Sequence, residues 1–261
     1  MTAVLMVEVV AVRPLSPNAV AFTFGGPGLE RVCYDGADQR MKLLFARPGQ
    51  PLPILPGEDD WYGDYLALPE EERPVMRTYT LRSQDPESGR IDVEFILHGA
   101  TGPASAWALD AKPGDKVGII ASTVEDGGNA RPYAPGDADW QLLVGDATAL
   151  PAIASILEQL PETAVARVFI QVPSPDDERK LDTPADDVQI TWLSEGSPAE
   201  AVRDAKLPDG VPYAWVAGEA AMVRSVRRHL VSERELRPRA HYFSGYWRRG
   251  VSEDAAEEDT E

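Results

Sequence analysis

An antiparallel β-barrel followed by a parallel α/β sheet is the fold class that this 261-residue sequence predicts, and three observations predict it. Residues 1–123 hold short runs of alternating apolar and polar residues broken by Gly and Pro, the rhythm of a small antiparallel barrel. From residue 139 to 250 strand-like runs alternate with amphipathic helical stretches, the rhythm of βαβ crossovers and a parallel sheet. Between them, residues 124–138 are rich in Gly, Pro and Asp, which places a linker there. At roughly 150 residues per domain, the length suits about two domains.

In the first domain the alternating runs Met6–Val12, Ala19–Phe24, Met41–Phe45, Arg77–Arg82, Arg90–Leu97 and Asp115–Ala121 read as strands. The last follows a Pro113-Gly114 turn. Pro51–Pro74 interrupts the barrel as a loop holding one short helix, and Ala104–Asp110 reads as a helix after Gly102-Pro103. In the second domain Trp140–Val144 is a buried-type strand. Thr148–Leu160 follows as a helix, with Leu150, Ile153, Ile156, Leu157 and Leu160 at helical spacing. Then come strands Val165–Val172 and Val188–Leu193, helix Pro198–Ala205, strand Tyr213–Ala217, helix Glu219–Val231 and strand Ala240–Phe243. Residues 251–261 carry six carboxylates and no basic side chain, the composition of a disordered tail.

Charge and cysteine usage exclude several classes. The net charge of −18 repels phosphate backbones, so nucleic acid is not an expected partner. Against that background, Arg224–Arg249 holds eight arginines and two glutamates, read as a solvated helix face and a basic loop. Cys33 stands alone, which rules out an intrachain disulfide and a cysteine-based zinc or iron–sulfur site, and suits a reducing cytoplasm. There is no basic leader at the N-terminus and no run of 18 apolar residues. The expectation is a cytoplasmic monomer or small oligomer without a membrane span.

Four constellations could carry chemistry. In Arg77-Thr78-Tyr79-Thr80, strand alternation puts 77 and 79 on one face and 78 and 80 on the other. The Arg fork can grip a diphosphate and the Tyr ring can lie on a flat heterocycle. Around His98, the run to Gly102-Pro103-Ala104-Ser105 opens a short helix whose N–H groups and dipole favour an anion. Gly145-Asp146-Ala147-Thr148-Ala149 and Val216-Ala217-Gly218-Glu219 are strand-to-helix junctions at one sheet edge, without the G-x-G-x-x-G fingerprint. Each of these, taken singly, is an ordinary capped helix start or strand. G-x-S-x-G, H-E-x-x-H and P-loop motifs are absent; His229 reads as lying on the arginine-rich helix face and His241 as a structural histidine in a strand. No catalytic side chain or metal ligand is expected, which leaves the chemistry to a bound cofactor.

Taken in register, these pieces resemble the siderophore-interacting protein family, NAD(P)H-dependent ferric-siderophore reductases of the ferredoxin-reductase-like superfamily. The matching runs are Met41–Phe45, Met76–Arg82, Phe95–Gly99 with Gly102–Ala108, Pro113–Asp115, Gly145–Ile153, Trp215–Glu219 and Gly245–Gly250. The resemblance implies an FAD-binding barrel over residues 1–123 and a nicotinamide-nucleotide domain over 139–250, its last segment covering the flavin. It implies that Arg77, Thr78, Tyr79 and Thr80 hold flavin and diphosphate, with His98, Gly102, Ala104 and Ser105 completing the cradle. Asp146, Thr148, Ala149 and Glu219 would face the nicotinamide, and Tyr246 and Trp247 would close over the flavin pocket. Lys42 and Arg248 would form a cationic rim for an anionic ferric siderophore, with Arg131 a weaker third.

Two departures from the family pattern bear on specificity. Ser194-Glu195 stands where an Arg often meets the 2′-phosphate of NADPH, and Asp176-Asp177-Glu178 follows the preceding strand. Carboxylates suit ribose hydroxyls instead, so NADH is expected to serve at least as well as NADPH. The acidic surface also disfavours highly anionic chelates at long range. A general flavin oxidoreductase and a non-catalytic flavin- or siderophore-binding protein stand as the alternatives.

Overall fold

Seven antiparallel strands build the first unit: β1 (Thr2–Ser16), β2 (Ala19–Gly25), β3 (Arg40–Phe45), β4 (Val75–Thr80), β5 (Ser83–Asp85), β6 (Arg90–Ile96) and β7 (Lys116–Ser122). The computed structural model describes residues 2–97, 102–124, 133–237 and 241–250; His98, Arg131 and the acidic tail lie outside these. The strand order is β4-β3-β7-β1-β2-β6-β5. The sheet curls into a half-barrel, since β4 and β6 are far apart in that order yet the rings of Tyr79 and Phe95 lie 4.2 Å apart. Helix α1 (Trp61–Ala67), capped by Asp60, lies within the Pro51–Pro74 stretch. Helix α2 (Pro103–Asp110) packs on β3, β4 and β6. There Trp107 joins Phe22, Phe24, Phe45 and Phe95 in one aromatic core.

Three strands differ from the sequence reading for physical reasons. β1 runs over 15 residues because its first half pairs with β7 and its second with β2, across a register shift between Val9 and Ala11. β4 ends at Thr80, where its ladder with β3 stops; Leu81 N–H then bonds Gln39 O and Arg82 N–H bonds Asp92 O. β5 is three polar residues with no alternation to read.

The chain divides into two compact units, Met1–Arg131 and Pro132–Glu261. The second is a five-stranded parallel sheet of β8 (Trp140–Asp146), β9 (Val165–Gln171), β10 (Asp187–Leu193), β11 (Pro212–Glu219) and β12 (Tyr242–Trp247). Its order is β10-β9-β8-β11-β12. Helices α3 (Leu150–Glu158), α4 (Pro198–Asp204) and α5 (Ala220–Ser232) connect the strands. Successive strands run outward from β8 on one side, then restart with β11 on the other. The strand order therefore reverses between β8 and β11, the place where open parallel sheets take their ligands. The last strand lies further along than the sequence suggests: β12 pairs with β11 as far as Glu219, so Tyr246 and Trp247 are strand residues.

Candidate functional site

The β3–β4 ladder sorts the first group of residues. Its register pairs Met41 with Tyr79, Lys42 with Thr78 and Leu43 with Arg77. Arg77 and Tyr79 therefore share the concave face with Met41, Leu43 and the aromatic core, the face on which α2 packs. Lys42, Thr78 and Thr80 share the opposite face, where Leu44 and Met76 pack with Tyr65 of α1. Thr80 is buried there. Because β4 is an edge strand, a ligand lying along that edge meets side chains of both faces. Arg77 is half-buried and one of its Nη1 hydrogens donates to Met76 O at 2.6 Å.

Helix α2 supplies the observation that points to a ligand. Its N-cap is Gly102, which makes no side-chain capping bond; α3 lacks one too but continues from the turn at Ala147–Ala149, whereas α1, α4 and α5 are capped by Asp60, Ser197 and Glu219. Gly102 sits at φ −126°, a conformation open to any residue, and no described atom lies within 4 Å of where its Cβ would be. Neither its φ nor packing among the described residues asks for glycine at this position. The N–H groups of Ala104 and Ser105 follow Pro103, which has none to give, and they form a donor pair suited to an anionic oxygen. The residues present fit a diphosphate. Gly102→Val is accordingly expected to lower the free energy of unfolding, measured in urea, by no more than about 1 kcal/mol, the cost of a poorer N-cap residue. The same variant should bind FAD at least tenfold more weakly; a stability loss with unchanged FAD affinity would contradict this reading.

At the switch point of the second unit, Asp146 ties three strands together. It ends β8, and its Oδ1 accepts from Thr148 N–H at 2.9 Å and Thr148 Oγ1 at 2.5 Å. Its Oδ2 accepts from Glu219 N–H of β11 at 2.7 Å and from Trp247 Nε1 of β12 at 2.8 Å. Gly218 permits this: it sits at φ 134°, and a Cβ there would stand 2.7 Å from the Asp146 carboxylate. The Asp146 carboxylate is thus satisfied internally and positions its neighbours. Glu219 caps α5, its Oε2 accepting from Ala221 and Met222 N–H at 2.6 and 3.0 Å. Burial pushes the Glu219 carboxyl up. The N–H groups of Met222, Ala221 and Arg249 and the charge of Arg224 outweigh that and hold it below the usual range.

The other expected residues of this unit lie at the same sheet edge or on α5. Ala149 is fully buried against Gly145, where a Cβ on Gly145 would stand 2.7 Å from the Ala149 Cβ. Tyr246 turns its ring edge-on to Trp215 at 6.4 Å. Arg248 is exposed at the end of β12. His229 lies on the buried face of α5, not its arginine face, with Nδ1 2.9 Å from Glu233 Oε2. Arg203, and then His229, hold the Glu233 carboxyl below its usual range. Nδ1 of His241 accepts from Ala214 N–H at 3.1 Å, and burial lowers its pKa, so this histidine is neutral and structural. Among the described residues no group of His, Cys, Asp or Glu is placed to hold a metal, and no helix is long and apolar enough to cross a membrane.

A half-barrel with an uncapped helix, joined to a parallel sheet with a tethered switch point, defines the ferredoxin-reductase-like class of two-domain folds. A ferredoxin reductase of carbazole 1,9a-dioxygenase shares that fold at a TM-score of 0.67 and 17% identity, over 94% of this chain and 70% of that one. The chain belongs to the siderophore-interacting protein family: residues 8–126 match the siderophore-interacting FAD-binding domain and residues 138–250 the siderophore-interacting protein domain. It is 31% identical to the ferric vibriobactin reductase ViuB of Vibrio cholerae, over 97% of this chain and 93% of the relative. The siderophore-interacting protein SipS of Aeromonas hydrophila superposes at a TM-score of 0.80 with 30% identity, over 98% and 96% of the two chains.

Proposed function

We propose that this chain is a cytoplasmic FAD-dependent reductase that passes electrons from NADH or NADPH to iron(III) held by a siderophore. What carries the reading is the start of α2, which has no side-chain cap, behind a glycine that no described residue crowds, on the same side of the sheet as Arg77. The full-length likeness to a protein named ferric vibriobactin reductase supports the choice of acceptor. Bound FAD would supply the conversion between a two-electron hydride donor and a one-electron metal acceptor.

The chain's own residues have separable tasks in this reading. Arg77, the N–H groups of Ala104 and Ser105 and the Ser105 hydroxyl would grip the diphosphate, with His98 completing the cradle. Tyr79 would lie against the flat ring system, while Thr78 and Thr80 face it from the other side of edge strand β4. Asp146 would orient the Thr148 and Glu219 junctions toward the nicotinamide and fix Trp247, with Tyr246 beside it. Lys42, on the Thr78 face, and Arg248 would attract the ferric chelate. Hard oxygen donors hold iron(III) more tightly than iron(II), so reduction loosens the complex and frees the metal.

The test is selective loss. Lys42→Ala with Arg248→Ala is expected to lower kcat/KM for an anionic ferric chelate about tenfold, in line with two screened charges, while leaving ferricyanide reduction within twofold. Equal losses for both acceptors would contradict a chelate-binding role. The nicotinamide preference is a second test. Asp176 and Glu178 beyond β9 and Glu195 beyond β10 are exposed carboxylates, whereas Asp177 is buried. They repel a 2′-phosphate and can accept from ribose hydroxyls. The expected kcat/KM for NADH is at least that for NADPH, and a tenfold preference for NADPH would overturn the assignment.

A further inference from the structure

We propose that α1 and the proline-rich run before it form a docking surface for a basic, apolar segment of another protein. The inference is independent of the reductase reading and lies wholly within the first unit. α1 turns Tyr65 inward, buried with Leu44, Met76 and Ile120, where Leu55 and Trp61 also pack. Outward it carries Tyr62 and Leu66, one turn apart, with 42% and 47% of their surface exposed. Leu52 and Ile54, in the run Pro51–Pro56, are 43% and 37% exposed. Nine large apolar side chains are exposed to this degree among the described residues, and four of them lie between Leu52 and Leu66. Such a concentration on a monomer's surface marks a contact site.

The two stretches are held side by side. Gln50 Nε2 donates to Glu72 O at 3.5 Å, and one Nη2 of the next residue, Arg73, donates to Leu66 O at 2.7 Å and Leu68 O at 3.0 Å. At the other end Gly57 N–H donates to Asp64 Oδ2 at 3.1 Å. Asp60 caps α1, and Tyr65 Oη donates to Pro74 O at 3.1 Å beneath the Arg73 guanidinium. These ties leave the Leu66 side chain facing solvent and Tyr62 meeting only the edge of Trp61 among the ring contacts. A helix fixed in this way offers its apolar face already ordered, which lowers the entropic cost of binding. The rim decides the partner. Residues 48–72 hold seven carboxylates and no basic side chain. Glu58 is paired with Arg31, while Asp59 and Glu70, Glu71 and Glu72 are exposed. An apolar centre within an acidic rim is complementary to apolar side chains flanked by Lys and Arg. The same rim repels an anionic bilayer, and the net charge of −18 repels a second copy.

The probe is a dye-labelled synthetic amphipathic helix of about 18 residues made of Leu and Lys, titrated with the full-length protein and followed by fluorescence anisotropy. Tyr62→Ser with Leu66→Ser is expected to weaken binding about tenfold. Glu70→Gln with Glu71→Gln and Glu72→Gln should weaken it about tenfold at about 0.15 M salt and hardly at all at about 1 M. Two controls change the second unit at exposed positions: Val211→Ser, and Glu200→Gln with Asp204→Asn and Asp209→Asn. Both should bind within about twofold of the parent. All the substituted side chains are exposed, so the urea midpoint should be the same in every variant, which separates lost binding from lost folding. Equal weakening by the variants of both units would overturn the proposal, since the peptide would then read net charge alone. So would a parent that does not bind the peptide. Tighter binding of the parent to phosphatidylserine vesicles than to the peptide, or self-association abolished by the serine pair, would overturn it in favour of a membrane or a second copy.

Discussion

Asp146→Ala is expected to lower the free energy of unfolding by about 3–5 kcal/mol, because one buried carboxylate answers four donors and removing it strands them. The donors belong to three different parts of the sheet edge: Thr148 at the start of the crossover into α3, Glu219 at the end of β11 and Trp247 on β12. Hydrogen bonds to a charged group contribute about 1.5–3 kcal/mol each, but bonds to one acceptor are not additive, so the sum stays well below four independent terms. Urea unfolding of parent and variant measures the difference. Asp146→Asn keeps one carbonyl oxygen and should lose about half as much. A loss below about 1 kcal/mol for Asp146→Ala would mean that the network is incidental to the fold.

Arg77→Ala is expected to weaken FAD binding about a hundredfold, roughly 2.7 kcal/mol, the worth of a charge-assisted fork on a phosphate oxygen partly discounted for solvent. The stability cost should be small, since Arg77 is only half-buried and stands on an edge strand. Fluorescence titration of apoprotein with FAD gives the affinity. Arg77→Lys keeps the charge without the planar fork, so it should recover only part of the loss. Arg77→Ala protein with an FAD affinity within twofold of the parent would remove Arg77 from the cofactor site.

Local chemistry made much of this legible in the sequence. Alternation located most strands of the half-barrel, and helical spacing located α3, α4 and α5. Strand parity separated Arg77 and Tyr79 from Thr78 and Thr80, as the register with β3 bears out. What stayed hidden depends on pairing between distant segments. That Lys42 faces the Thr78 side follows only from the β3–β4 register. The junction after β8 was readable as a capped helix start, but the bonds of Asp146 to Glu219 and Trp247 span 73 and 101 residues. β12 reaches Trp247 because β11 offers it a partner, and nothing within Gly245–Gly250 announces that. His229 sits among arginines in sequence, yet helix phase turns it inward with Val226 and Leu230.

The most direct test of the account is an anaerobic visible spectrum of the purified protein loaded with FAD, recorded before and after NADH, with a ferric hydroxamate and an iron(II) trap added last. The flavin bands are expected to bleach with the nucleotide and return when the chelate is added, with trapped iron(II) appearing as they return. Bands that bleach with neither NADH nor NADPH, or that stay bleached in the presence of the ferric chelate, would contradict it.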